Sequence, residues 1–91
     1  MDIEIIPLAE KKLKRRGITE RWIKETLEFP DQVLDGYGGR RVAQKKYRIK
    51  NKDYLLRVIY EEKEELKVVI TAYLTSQLER YWRTEKNENR I

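Results

Sequence analysis

The chain has 91 residues with a net charge of +5, and 41% of its side chains are charged against 40% hydrophobic. That is room for one domain, burying roughly 60–65% of its unfolded surface. Its two Trp, six Tyr and one Phe argue against wholesale disorder. With no Cys and no His, disulfides, thiol nucleophiles, imidazole bases and the usual zinc sites are excluded.

Asp2–Ile6 (D-I-E-I-I) begins with alternation and reads as a short edge strand. Pro7 suits the first turn of a helix, where its missing N–H costs nothing. Ala9 and Leu13 lie four apart and mark the buried face of that helix, and Gly17 ends it as a left-handed cap. Thr19 is the N-cap of a second helix, with a buried stripe of Trp22, Ile23, Thr26 and Leu27 and a stop at Pro30. The period then changes from 3.6 to 2. Gln32–Asp35 is a short strand, Gly36–Gly39 a flexible turn, and Arg40–Ile49 a strand with Ala43, Lys45, Tyr47 and Ile49 on one face. Asn51, Lys52 and Asp53 are turn residues leading into Tyr54–Tyr60, and Glu61–Glu65 is an acidic turn. In Leu66–Leu74, the residues Leu66, Val68, Ile70, Ala72 and Leu74 read as one continuous apolar face. A short helix is expected within Ser76–Arg83, followed by a polar, frayed tail at 84–91. The fold class is α+β: one domain over residues 1–83, with a strand and helical hairpin packed on one face of a mostly antiparallel sheet.

Charge is concentrated in one stretch. Residues 40–60 carry eight basic side chains against Asp53 alone, whereas residues 1–39 and 61–91 each have a net charge of −1. Such a cluster fits a polyanion partner, with Arg40, Arg41, Lys45, Lys46, Arg48 and Lys50 as candidate nucleic-acid contacts. The alternative is a solvated strand edge whose lysines discourage aggregation. The run Lys11–Arg16 reads as a solvated helix face, with an RNA contact as the alternative.

Within Tyr54–Tyr60 (Y-L-L-R-V-I-Y), Arg57 is the only polar interior residue of a strand apolar on both faces. A guanidinium there needs a carboxylate, a ligand phosphate or water. One reading is a phosphate-binding group on the open face of the sheet, beside Thr71 and Tyr73 of the last strand. The other is a structural ion pair to Glu61 or Glu25.

The runs R-R-G-I-T (Arg15–Thr19), F-P-D (Phe29–Asp31), G-R-R-V-A-Q-K (Gly39–Lys45), L-R-V-I-Y (Leu56–Tyr60) and V-I-T-A-Y-L-T-S (Val69–Ser76) resemble a small family placed beside the RelE and ParE toxins of toxin–antitoxin systems. The resemblance spans residues 6–82 and implies a β-α-α-β-β-β layout. It further implies a cytoplasmic toxin that acts on messenger RNA, through ribosome-dependent endonuclease chemistry, and a small acidic antitoxin partner. ParE-like relatives target a topoisomerase instead. Leu8 stands where members of the nearest family often carry a His, so any chemistry here rests on Arg, Lys and Tyr. In that setting Arg57 is the candidate for transition-state charge and Tyr73 the candidate proton donor or base. Arg80 and Tyr81 lie where RelE-like proteins place C-terminal catalytic or stacking residues, and Thr71 joins the nucleic-acid contacts. Tyr81 and Trp82 also have a purely structural reading, docking the tail on the core. No metal or cofactor is expected. The function read is an RNA endonuclease that works by attack of the ribose 2′-OH, with a noncatalytic RNA-binding module or a topoisomerase-directed toxin as alternatives.

Overall fold

The computed structural model describes residues 2–83; the expected tail at 84–91 lies outside them. Nine elements follow in chain order: β1 (Asp2–Ile5), α1 (Pro7–Arg16), α2 (Glu20–Glu28), β2 (Gln32–Asp35), a 3-10 turn (Tyr37–Gly39), β3 (Arg41–Ile49), β4 (Lys52–Lys63), β5 (Leu66–Thr75) and α3 (Leu78–Tyr81). The strands form one sheet in the order β1-β5-β4-β3-β2. β1 pairs with β5 in parallel and every other pairing is antiparallel. The α+β class expected from the sequence is thus the observed one, with one strand more than the β-α-α-β-β-β layout. No helix of the described residues is long and apolar enough to cross a membrane.

The helical hairpin forms for local reasons. Gly17 adopts φ 71°, a left-handed conformation that only Gly takes without steric cost. This lets Ile18 N–H donate to Leu13 O at 3.0 Å and close α1. Thr19 Oγ1 then accepts from Trp22 N–H at 3.2 Å and opens α2. The second helix has no basic residue in its last turn, and Lys45 of β3 supplies the missing cation, donating from Nζ to Phe29 O at 2.8 Å. α1 packs on β5 and α2 on β3 and β4. Leu13, Ile18, Ile23, Leu27, Ala43, Leu56, Val58, Tyr60, Val69 and Ala72 make the core between the helices and the sheet.

Two strand boundaries and one face assignment depart from the sequence reading. The β3–β4 turn is Lys50–Asn51, not Asn51–Asp53: Ile49 pairs with Lys52, and positive φ at both turn residues (50° and 66°) is the two-residue turn whose twist suits a hairpin. β4 also runs on through Glu61, Glu62 and Lys63, so the acidic turn shrinks to Glu64–Glu65. Finally, Leu66, Val68, Ile70, Ala72 and Leu74 do not share a face. Tyr60 pairs with Val69 but Ile59 with Thr71, which leaves Ile70 as the extra residue of a β-bulge. A bulge of one residue swaps the faces, so Lys67 and Val69 join Ala72 and Leu74 on the helix side. β1 ends opposite Val69, directly before this bulge.

Tyr47 anchors α2 to the sheet. Its ring stacks on Trp22 with centroids 5.1 Å apart, and its hydroxyl donates to Glu25 Oε1 at 2.7 Å. Burial, reinforced by the nearby Glu25 carboxylate, pushes its pKa up to about 12. The folded protein therefore holds this proton more tightly than the unfolded chain, whose phenols titrate near ~10. The stability so gained is complete below pH ~10 and is lost as pH rises from there towards 12. Urea midpoints measured from pH 8 to 12 should fall over that window, and Tyr47→Phe should flatten the fall.

Candidate functional site

The open face of the sheet, away from α1 and α2, is built by alternation: Val42, Gln44, Lys46 and Arg48 from β3, Leu55, Arg57 and Ile59 from β4, and Thr71, Tyr73 and Thr75 from β5. Arg57 lies at its centre, opposite Gln44 on one side and Tyr73 on the other. Its Nε donates to Gln44 Oε1 and its Nη1 to Tyr73 Oη, both at 2.6 Å. Neither Glu61 nor Glu25 meets it: Glu61 accepts from Arg40 at 3.1 Å and Glu25 from Tyr47. Among the described residues Arg57 has no carboxylate partner. Its charge is positioned by neutral oxygens and remains formally uncompensated.

Gln44 makes this possible. It is fully buried, and its Nε2 donates to Gln32 Oε1 at 3.0 Å and to Tyr81 O at 3.3 Å. With the amide nitrogen so engaged, its oxygen is fixed towards Arg57. The Gln32 side chain in turn clamps the main chain of Arg83, accepting from its N–H at 3.1 Å and donating to its carbonyl oxygen. Through these two glutamines the C-terminal segment is tied down on the open face, with the Tyr81 ring 4.2 Å from the Arg57 guanidinium and the Trp82 ring 3.9 Å from Lys46 Nζ. The Tyr73 and Tyr81 rings lie 6.3 Å apart. Removing the Gln32 clamp should loosen the segment without unfolding the domain. In a Trp22→Phe background, Gln32→Ala is expected to raise acrylamide quenching of Trp82 and to lower stability by only about 1 kcal/mol.

The structure therefore brings Arg57, Tyr73 and Tyr81 together. Arg80 lies beside Tyr81, its guanidinium 5.3 Å from the ring. With Tyr73, Leu74, Thr75, Gln77, Arg16 and Tyr81, Arg80 lines a cleft of about 650 Å³. The other basic candidates are spread out. Lys46 and Arg48 share the open face, but Arg48 is paired with Asp53 at 2.7 Å. Arg41 and Lys45 point to the helix side, where Arg41 is 3.8 Å from Glu62 and Lys45 caps α2. Arg40 lies in the turn before β3, paired with Glu61, and Lys50 is at the far hairpin tip. Thr71 is two residues from Tyr73 on the same face. Gln44, Gln32 and Arg16 also belong to the site, and nothing in their residue types marks them in the sequence. The one signal available for Gln44 was its place on the same alternating face as Lys46 and Arg48. Among the described residues, no group of three or more acidic side chains is arranged to hold a metal ion.

Comparison with known proteins yields one finding. Residues 9–74 match the model of the family described as a domain of unknown function, DUF4258, and the chain belongs to that family. The match runs from within α1 to Leu74 of β5, and so contains Arg57, Gln44 and Tyr73 but stops short of Arg80 and Tyr81. No curated protein and no solved structure matches the chain.

Proposed function

We propose that this member of the DUF4258 family is an RNA endonuclease of the RelE type, with its reaction centre at Arg57 and Tyr73. The observation that carries the reading is the half-buried Arg57 guanidinium, which is held by Gln44 and Tyr73 with no carboxylate partner among the described residues. Two of its five N–H groups are occupied by those bonds, so three are left for a phosphate. Tyr73 Oη accepts from Arg57, and its own O–H proton is free to point at a ligand. In the reaction the ribose 2′-OH attacks the adjacent phosphorus, the P–O5′ bond breaks, and a 2′,3′-cyclic phosphate and a 5′-hydroxyl result. Arg57 stabilises the charge that develops on the phosphoryl oxygens, and it is prepositioned to do so. Tyr73 exchanges a proton with one of the reacting oxygens, and Tyr81 offers a ring on which a base stacks. Lys46 on the same face holds a flanking phosphate.

A site of Arg and Tyr without a stronger base depends on substrate alignment, which favours messenger RNA held on the ribosome. The reading also carries a short acidic antitoxin that covers the basic open face. The test maps RNA 5′ ends after incubation of the protein with messenger RNA, free and on programmed ribosomes. New 5′-hydroxyl ends that appear with ribosomes support the proposal. RNA binding without new ends under either condition would replace it with a noncatalytic binding module. Neither binding nor cleavage would point to a protein target such as a topoisomerase.

A further inference from the structure

Arg16 departs from the basic run that precedes it. β1 ends opposite Val69, so past the bulge at Ile70 no strand of the described residues lies beside the outer edge of β5. Arg16, the last residue of α1, reaches this edge and donates from Nη1 to Ala72 O at 2.8 Å and to Thr71 Oγ1 at 3.5 Å. Its Nε and Nη2 make no hydrogen bond among the described residues. Arg80 faces the same cleft, and among the described residues its guanidinium bonds only to Gln77 Oε1, at 3.4 Å. Neither arginine is paired with a carboxylate among the described residues. Tyr73 and Tyr81 also line this cleft, and both touch Arg57. Two guanidinium groups thus line one cleft, a third lies behind its tyrosines, and among the described residues no acidic side chain lines it. Such an arrangement is self-repulsive until an anion occupies it.

We infer that Arg16 and Arg80 form a second phosphate subsite, which takes the backbone phosphate next to the one at Arg57. The ligand is then a single-stranded RNA segment of two or more phosphates, not a mononucleotide. Single-stranded RNA fits because its bases are free to stack on the tyrosine rings. The inference rests on the RNA-cleaving reading above.

The test uses fluorescence anisotropy with a 2′-O-methyl 12-mer, which binds but lacks the attacking hydroxyl, titrated at several salt concentrations. The slope of log K against log [salt] for a single strand changes by about 0.7 per phosphate contact. Arg16→Gln should lower its magnitude by about that amount and weaken binding about tenfold. Arg80→Gln should do the same, and it reads out the subsite even if the Arg16 variant proves unstable in a melting curve. Lys24→Gln on α2, which borders a different surface depression, should change neither by half as much. Wild-type protein that fails to bind the 12-mer would overturn the subsite, whereas the RNA-cleaving reading is decided separately by the mapping of 5′ ends on programmed ribosomes. Wild-type binding with unaltered slope and affinity in both arginine variants would overturn the subsite alone.

Discussion

Arg57→Ala should lower the rate of RNA cleavage about 10²–10³-fold, the usual cost of removing a prepositioned donor to developing charge. The variant also strips a fully buried Gln44 oxygen of its donor, for about 1–3 kcal/mol of stability, so it must be read beside a melting curve. Arg57→Lys separates the two effects. A lysine keeps the charge, and with it most of the salt-dependent binding, but it lacks the planar fork that reaches Gln44 Oε1 and Tyr73 Oη together. It is expected to bind RNA within about threefold of wild type and to cleave it about 10²-fold more slowly. Single-turnover cleavage on programmed ribosomes measures both. Wild-type rates in Arg57→Lys would show that a point charge suffices, and wild-type rates in Arg57→Ala would remove the residue from the reaction altogether.

Arg57 was legible in the sequence because it breaks a rule: a charged residue inside a strand that is apolar on both faces. Tyr73 followed from alternation along the last strand. Gln44 was hidden because a neutral amide between Ala43 and Lys45 looks like any solvated strand position, and burial alone separates the two. Arg16 was hidden inside a basic run, since only the early end of β1 leaves an edge for it to reach. Along the sequence the charge excess of residues 40–60 looks like one patch, but a pleated strand divides such a run between two faces. The hairpin return of β4 then carries Glu61 and Glu62 back beside Arg40 and Arg41.

Local chemistry accounts for the parts of the fold that the sequence specified well. Gly17, Thr19 and Pro30 bound the helices by conformational rules that depend on neighbours in the chain. The bulge at Ile70 does not. Val68, Val69 and Ile70 are all apolar and β-branched, so either face of that run is acceptable as core and alternation cannot choose. The choice is made by the partners: β1 needs a parallel neighbour at Leu66–Val69, and Tyr60 fills the core on the same side as Val69.

The same double-sided burial makes a second large prediction. Leu55 and Leu56 are consecutive in β4, point to opposite faces, and are both completely buried. Leu56 belongs to the helix-side core, and truncation to Ala should cost about 2–5 kcal/mol. That is a large fraction of the ~5–15 kcal/mol typical of a whole domain. Leu55 lies on the face that carries Arg57, where α3 packs on β4. If that cover is as tightly packed as the helix side, Leu55→Ala should cost a similar amount. Urea unfolding of both variants at unchanged m-value gives the comparison. A loss below about 1 kcal/mol for Leu55→Ala, beside a full loss for Leu56→Ala, would mean that α3 does not hold its place in solution. Tyr81 would then not be stationed over Arg57 before RNA arrives, and the stacking part of the site would have to be assembled by the substrate. Equal losses would mean that the open face is a second small core, in which the glutamine clamps and the buried leucine hold the aromatic rings in position ahead of binding.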